Sequence, residues 1–278
     1  MIQHRSPLTR AVVAGTGAVA LFAAVALAHD MFLKPAQYFI APNGAIPTVL
    51  LNGTFDKSLN SIERSRLLDI SLVGPGGRSR VDTTAWDATG DTSRVTFKAG
   101  PAGTYLLGVS TKPNQIELEA KDFNGYLKED GLPDELARRE KSGELATDAH
   151  ERYAKHVKAV VQVGDARTDG YSTVLGYPAE IVPLENPYAL AKGGTLRVRA
   201  LVDGAPVANQ FVVFGARAPS GATVAERGVR SGSDGVAAIT VTGPGVWYVK
   251  FIRMRKLPTQ PDGVTHESKW ATLTFAVK

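Results

Sequence analysis

The sequence predicts a mainly β protein, two antiparallel β-sandwich sections joined by a helical insertion. Three observations carry this expectation. Short runs rich in β-branched and aromatic residues recur between clusters of Gly, Pro, Asn and Asp. Strong helix formers displace them between positions 117 and 163, and Asp-Gly turns punctuate the last third of the chain.

The first element is a leader. Met1 to Arg10 carries Arg5 and Arg10 with no acidic residue, residues 11–25 are small and apolar, and Ala26-Leu27-Ala28 has the A-x-A form of a cleavage site. Residues 1–28 therefore read as a secretory signal peptide, cut between Ala28 and His29, which makes the product periplasmic or secreted. The apolar run is shorter than the roughly 20 residues a membrane helix needs and contains Gly15 and Gly17. No later stretch is apolar and long enough to span a bilayer.

Residues 29–116 form the expected N-terminal sandwich section, with strands at 48–51, 67–73, 94–98 and 104–110. Pro42-Asn43-Gly44, Gly74-Pro75-Gly76-Gly77 and Gly100-Pro101 separate them. Residues 117–163 form the expected helical insertion, with Gly131 where one helix stops and Pro133 where the next starts. Tyr153, His156, Val157, Val160 and Val161 follow the spacing of one helical stripe. Residues 164–278 form the second section, Ig-like or prealbumin-like, with strands at 195–202, 210–215, 236–241, 246–252 and 270–277. Asp203-Gly204, Asp234-Gly235 and Gly243-Pro244-Gly245 supply its turns.

Composition narrows the function. Hydrophobic residues make up 44% of the 278, enough for a sizeable core. The absence of cysteine removes disulfides, thiolate metal sites and cysteine nucleophiles, so any metal must bind through His, carboxylates or a new N-terminus. The net charge of +5 falls to +3 without Arg5 and Arg10, and the remaining charges are interspersed, which argues against nucleic acid as a partner.

No G-x-S-x-G elbow, G-x-x-x-x-G-K-[ST] loop or G-x-G-x-x-G fingerprint occurs. His150-Glu151 and His266-Glu267 both lack the second His of a zincin helix. No catalytic residue emerges, and the expectation is a protein that is not an enzyme. Asn52-Gly53-Thr54 is a formal glycosylation sequon that reads as a turn beside a strand.

The distinctive residue is His29. Freed by cleavage, its α-amine and its imidazole Nδ1 can chelate one metal ion, a nitrogen pair suited to Ni(II), Cu(II) or Zn(II). Asp30 can add an oxygen, and Met31 stands where a third-position copper/nickel motif would need His. The alternative is that His29 merely tolerates the peptidase. His156, on the apolar stripe, reads either as a satisfied buried histidine or as a ligand.

His29-Asp30-Met31-Phe32-Leu33-Lys34-Pro35, LNGTFDKS, STKPNQIELEAKDFNGYLKEDG, ERYAKHVKAVVQVGDARTD, LGYPAEIVPLENPYAL and ESKWATLTFAV together resemble the NikM-like family of exported β-sandwich proteins. The likeness covers essentially the whole mature chain. It implies a periplasmic role in nickel or cobalt uptake, with a membrane metal permease as partner and His29 as the natural ligand. His156 matches the family's Arg-Tyr-x-Lys-His segment and becomes a second candidate. Family members often carry His-Met after the Trp-Tyr-Val strand, where this chain has Arg253-Met254, a cation in place of an imidazole. Two other readings stay open: a non-catalytic module binding protein or glycan through Trp86 or Trp247, and a copper enzyme built on the His29 chelate.

Overall fold

The computed structural model describes residues 29–191 and 193–278. The expected leader lies outside the described residues. The described residues begin with β1 (Asp30–Pro35), β2 (Phe39–Ile40), β3 (Ala45–Gly53), β4 (Leu67–Gly74), β5 (Gly77–Arg80), β6 (Ser93–Lys98), β7 (Gly103–Thr111) and β8 (Asn114–Leu118). Helices α1 (Ala120–Glu129) and α2 (Pro133–Lys141) follow. The rest is β9 (Ala149–Val163), β10 (Ala179–Pro183), β11 (Thr195–Val202), β12 (Ala205–Pro206), β13 (Phe211–Arg217), β14 (Thr223–Arg230), β15 (Val236–Thr240), β16 (Gly245–Lys256) and β17 (His266–Val277). The protein is mainly β, as its turn-bounded runs predict.

These strands build three layers. The middle one is a ten-stranded sheet in the order β14-β13-β16-β17-β9-β7-β4-β5, with β2 and β8 also paired to β9. On one face lies β1-β3-β6; on the other lies β10-β11-β12, with β15 on β11. The period-2 alternation of the central strands feeds both cores. From β9, Val157, Ala159, Val161 and Val163 pack with Met31, Leu33, Ile46 and Phe97. Val160 points the other way, into the cluster of Ile181, Val198, Ile239, Leu273 and Phe275.

The expected insertion is corrected by β9. Residues 149–163 form a 15-residue strand, not a helix, and only 120–129 and 133–141 are helical. A strand covered on both faces reads as a continuous apolar run, and in such a run an i, i+3, i+4 stripe arises without a helix. Nor are the sections at 29–116 and 164–278 separate antiparallel sandwiches. They share the middle sheet, and β9 pairs with β17 in parallel from Glu151↔His266 to Ala159↔Thr274.

The helical turn signals hold. Gly131 takes φ +79° just past α1, and the Leu132 N–H bonds the Leu127 carbonyl at 2.9 Å, closing a Schellman-type end with both leucines buried. Pro133 opens α2. Helix α1 buries Phe123, Tyr126 and Leu127 on one face against Ile252 and Trp270. Asp203 and Gly204, both at positive φ, make the tight turn from β11 to β12 that the sequence predicts. Trp86 and Trp247 are 2% and 1% exposed, so both are core residues and not contacts for a partner.

Candidate functional site

The site grows from the way β1 is held. One edge of β1 pairs with β3, Asp30 opposite Gly53 and Met31 opposite Asn52. On the other edge, alternate carbonyls take side-chain donors from the middle sheet. Thr272 Oγ1 donates to Met31 at 2.8 Å and Thr274 Oγ1 to Leu33 at 2.6 Å, while Lys155 Nζ donates to the His29 carbonyl. His29 and Asp30 thus stand at the end of a strand fastened along both edges.

Charged side chains gather beneath them. Lys250 of β16, 4% exposed, pairs with Asp30 Oδ2, and its Nζ lies 3.7 Å from both Asp130 Oδ1 and Glu226 Oε1. Tyr248 donates a 2.8 Å hydrogen bond to Glu226. Lys155 also donates to Asn52 Oδ1 at 3.1 Å and lies 4.8 Å from the Trp270 ring. Tyr126 stacks on Trp270 at 5.7 Å, and its hydroxyl donates to Glu151 Oε1 at 3.2 Å, as does Ser268. Two buried carboxylate oxygens, Asp30 Oδ1 and Glu151 Oε2, have no hydrogen-bond partner.

Low solvation sets the protonation of the cluster. Burial, with the nearby Asp30 charge, pushes Asp130 up to about 8, and burial pushes Glu151 up to about 7 against hydrogen bonds from Ser268 and Tyr126. Burial brings Lys155 down to about 8, although Asp30, Asp130 and Glu151 oppose it. Burial acts on Lys250 in the same sense, but Asp30, Asp130 and Glu226 outweigh it and its pKa rises. Burial and the Lys155 ammonium hold the His29 imidazole below its ordinary value, which keeps it a neutral nitrogen donor near pH 7.

Above this cluster opens a cleft of about 410 Å³, whose walls include His29, Asp30, Tyr126, Asp130, Glu226 and Lys250. The structure therefore brings together two of the three expected ligands. His156 faces the opposite side of the middle sheet from Lys155, which touches His29. Its Nδ1 bonds Ser110 Oγ at 2.8 Å, its Nε2 has no partner, and burial, with a smaller effect of Lys269, depresses its pKa to about 3. It is a neutral core histidine. Among the described residues, no three His, Asp or Glu side chains are grouped to hold a metal ion.

Arg253 is exposed and, three residues from Lys250 on β16, projects from the other face of the strand, away from Asp30. The sequon asparagine, Asn52, is 8% exposed, with its carboxamide bonded to Asn60 and Lys155. The sequence reading missed Lys155, Lys250, Asp130 and Glu151. The one available signal was the lysines set inside apolar strand sequence, KHVKAVV and VWYVKFI.

The chain belongs to the family described as "Domain of unknown function (DUF4198)", whose pattern matches residues 26–255. No curated protein matches it in sequence. Among solved structures it is similar to a DUF4785 family protein of Legionella pneumophila, at 11% identity and a TM-score of 0.25, covering 78% of this chain and 50% of that one. It is similar also to trypsin-activated alpha-2-macroglobulin of Escherichia coli, at 9% identity and a TM-score of 0.22, covering 90% and 16%. A third is the E. coli adhesin FdeC, at 16% identity and a TM-score of 0.24, covering 89% and 63%. The chain thus spans less than two thirds of each, and TM-scores this low carry no argument about fold or function. No helix among the described residues is long and apolar enough to cross a membrane.

Proposed function

We propose that this protein is an exported, non-catalytic metal-binding accessory that holds nickel or cobalt at its N-terminal His29 and presents the ion to a membrane permease. One observation carries the reading: His29 and Asp30 sit at a cleft on a strand fastened at both edges, and Asp30 offers an oxygen, Oδ1, with no protein partner. The donor set suits a borderline ion, with the α-amine and neutral imidazole of His29 as the nitrogen ligands and Asp30 as an oxygen ligand. Co(II), Cu(II) and Zn(II) share that preference, so the chemistry of the donors defines a class of ion. His156 has no part in this site.

A copper enzyme with paired imidazoles finds less support. His156 lies on the other face of the sheet, and His266 is buried between Glu135 at 3.2 Å and Thr265 at 2.7 Å.

The test is a calorimetric titration of Ni(II), Co(II), Cu(II) and Zn(II) into protein beginning at His29 and into the same protein with one extra N-terminal Gly. The extension displaces the amine from the chelate and weakens binding by about tenfold or more, the effect of losing at least 1.4 kcal/mol. Equal affinities would refute the site.

A further inference from the structure

We propose that the start of α2 and Gln210 form a second binding site, which takes the C-terminal residue of a peptide: a free carboxylate beside an N–H, with an apolar side chain. The site shares no wall residue with the His29 cleft and does not depend on the metal-binding reading.

A cavity of about 310 Å³ is bounded by the first turn of α2, by Gln210 and Phe211 at the start of β13, and by Ile252 to Met254 of β16. Gly131 lets the turn before α2 settle on β13, since a Cβ there would come within 2.9 Å of Val213. Helix α2 begins without a side-chain cap, and Pro133 has no N–H to give. The Leu136 N–H bonds the Leu132 carbonyl at 3.2 Å, whereas the Asp134 and Glu135 N–H groups have no partner among the described residues. Two free donors at the positive end of a helix favour a carboxylate. The acidic side chains of this turn are already engaged, Asp134 by Arg230 and Glu135 by Arg138 and His266. Arg253, exposed at the rim, has no ion pair among the described residues.

A helix N-terminus alone would accept any small anion, and Gln210 makes the site particular. Only 5% exposed, it donates from Nε2 to the Phe211 and Ile252 carbonyls at 3.0 and 3.1 Å. Those two bonds fix which end of the carboxamide is oxygen, and Oε1 is left in the cavity wall without a partner. A buried acceptor with no donor is costly, and a ligand N–H removes that cost. Donors at the helix and an acceptor at Gln210 complement a carboxylate and an N–H borne on one carbon, as in the last residue of a peptide. Buried Leu132 and Ile252 and half-buried Phe211 and Met254 offer its side chain an apolar surface.

The experiment titrates three ligands into protein beginning at His29: N-acetyl-Ala-Leu with a free carboxylate, its C-terminal amide, and the ester analogue in which oxygen replaces the leucine N–H. The acid should bind saturably, the amide at least about tenfold more weakly and the ester about fivefold more weakly. In Gln210→Met, checked for folding by circular dichroism, acid and ester should bind alike while the amide stays weaker, because only the N–H contact has gone. Where Gln210→Met folds poorly, amide chemical shifts of the wild-type protein take its place, and the acid should move the Asp134 and Glu135 signals. The proposal is overturned by no saturable binding of the acid, by equal affinities of acid and amide, or by an ester penalty that survives in Gln210→Met. Asp134 and Glu135 signals that stay in place overturn it as well.

Discussion

Asp30 has two oxygens with different fates, one spent on Lys250 and one without a partner. Replacing Asp30 by Ala removes the nearest countercharge from a buried ammonium. Breaking such a pair costs about 3 kcal/mol here, the low end of the usual range, since Asp130 and Glu226 remain close. Urea denaturation reads this directly, and a loss below about 1 kcal/mol would mean that Lys250 is compensated without Asp30. Glu151 makes a prediction with a definite sign. Its pKa is raised on folding, so its contribution is complete below the ordinary value of 4.5 and disappears as pH rises through about 7. Wild-type protein should lose up to about 3 kcal/mol from this group between pH 4.5 and 8. Glu151→Gln should lack that part of the slope, and parallel curves for the two proteins would contradict it. His156 acts in the opposite sense, contributing above pH 6.5 and losing its contribution as pH falls toward 3. At this scale the sequence exposed His29 through its place after an A-x-A motif. Lys155 and Lys250 were passed over, despite their apolar surroundings in sequence, because a lysine in a strand ordinarily faces water, and the structure buries both.

At the scale of elements, β1 decides whether the cleft exists. Thr272→Val together with Thr274→Val keeps the shape of β17 and deletes two donors to β1, leaving the Met31 and Leu33 carbonyls unpaired. At about 1 kcal/mol per bond, amide exchange in β1 should accelerate by about 30-fold. Strands β7 and β9 should be unaffected, and a uniform acceleration would show that β1 is not separately held. The strands with one mainly covered face, such as β6 and β11, were legible from alternation, and β4 and β7, buried almost throughout, from the Gly-Pro-Asn-Asp punctuation around them. So were the Gly131 stop and the Pro133 start. Strand β9 was not, because covering both its faces erases the period of two, and Tyr153, His156, Val157, Val160 and Val161 then mimic a helical stripe. Strand β1 was passed over for the same reason: Met31, Phe32 and Leu33 are all buried.

For the whole molecule, the parallel pairing of β9 with β17 joins what the sequence presents as two sections into one sheet with a core on each face. Residues of β9 belong to both cores, so neither half can lose its packing without exposing apolar surface of the other. Scanning calorimetry of protein beginning at His29 should therefore show one transition whose van't Hoff and calorimetric enthalpies agree, whereas two resolved transitions would mean that the halves fold independently. This architecture also explains why the expected ligands divide as they do. His29 and Asp30 lie on the β1 side of the sheet and His156 on the β10 side, a separation set by strand parity that no spacing rule in the sequence reveals. The most direct test of the metal site is an anomalous diffraction map of crystals of protein beginning at His29, grown with Ni(II). A nickel peak within bonding distance of the His29 α-amine and imidazole, with Asp30 beside it, is the expected result. A peak at His156, or none at the cleft in protein shown to start at His29, would contradict it.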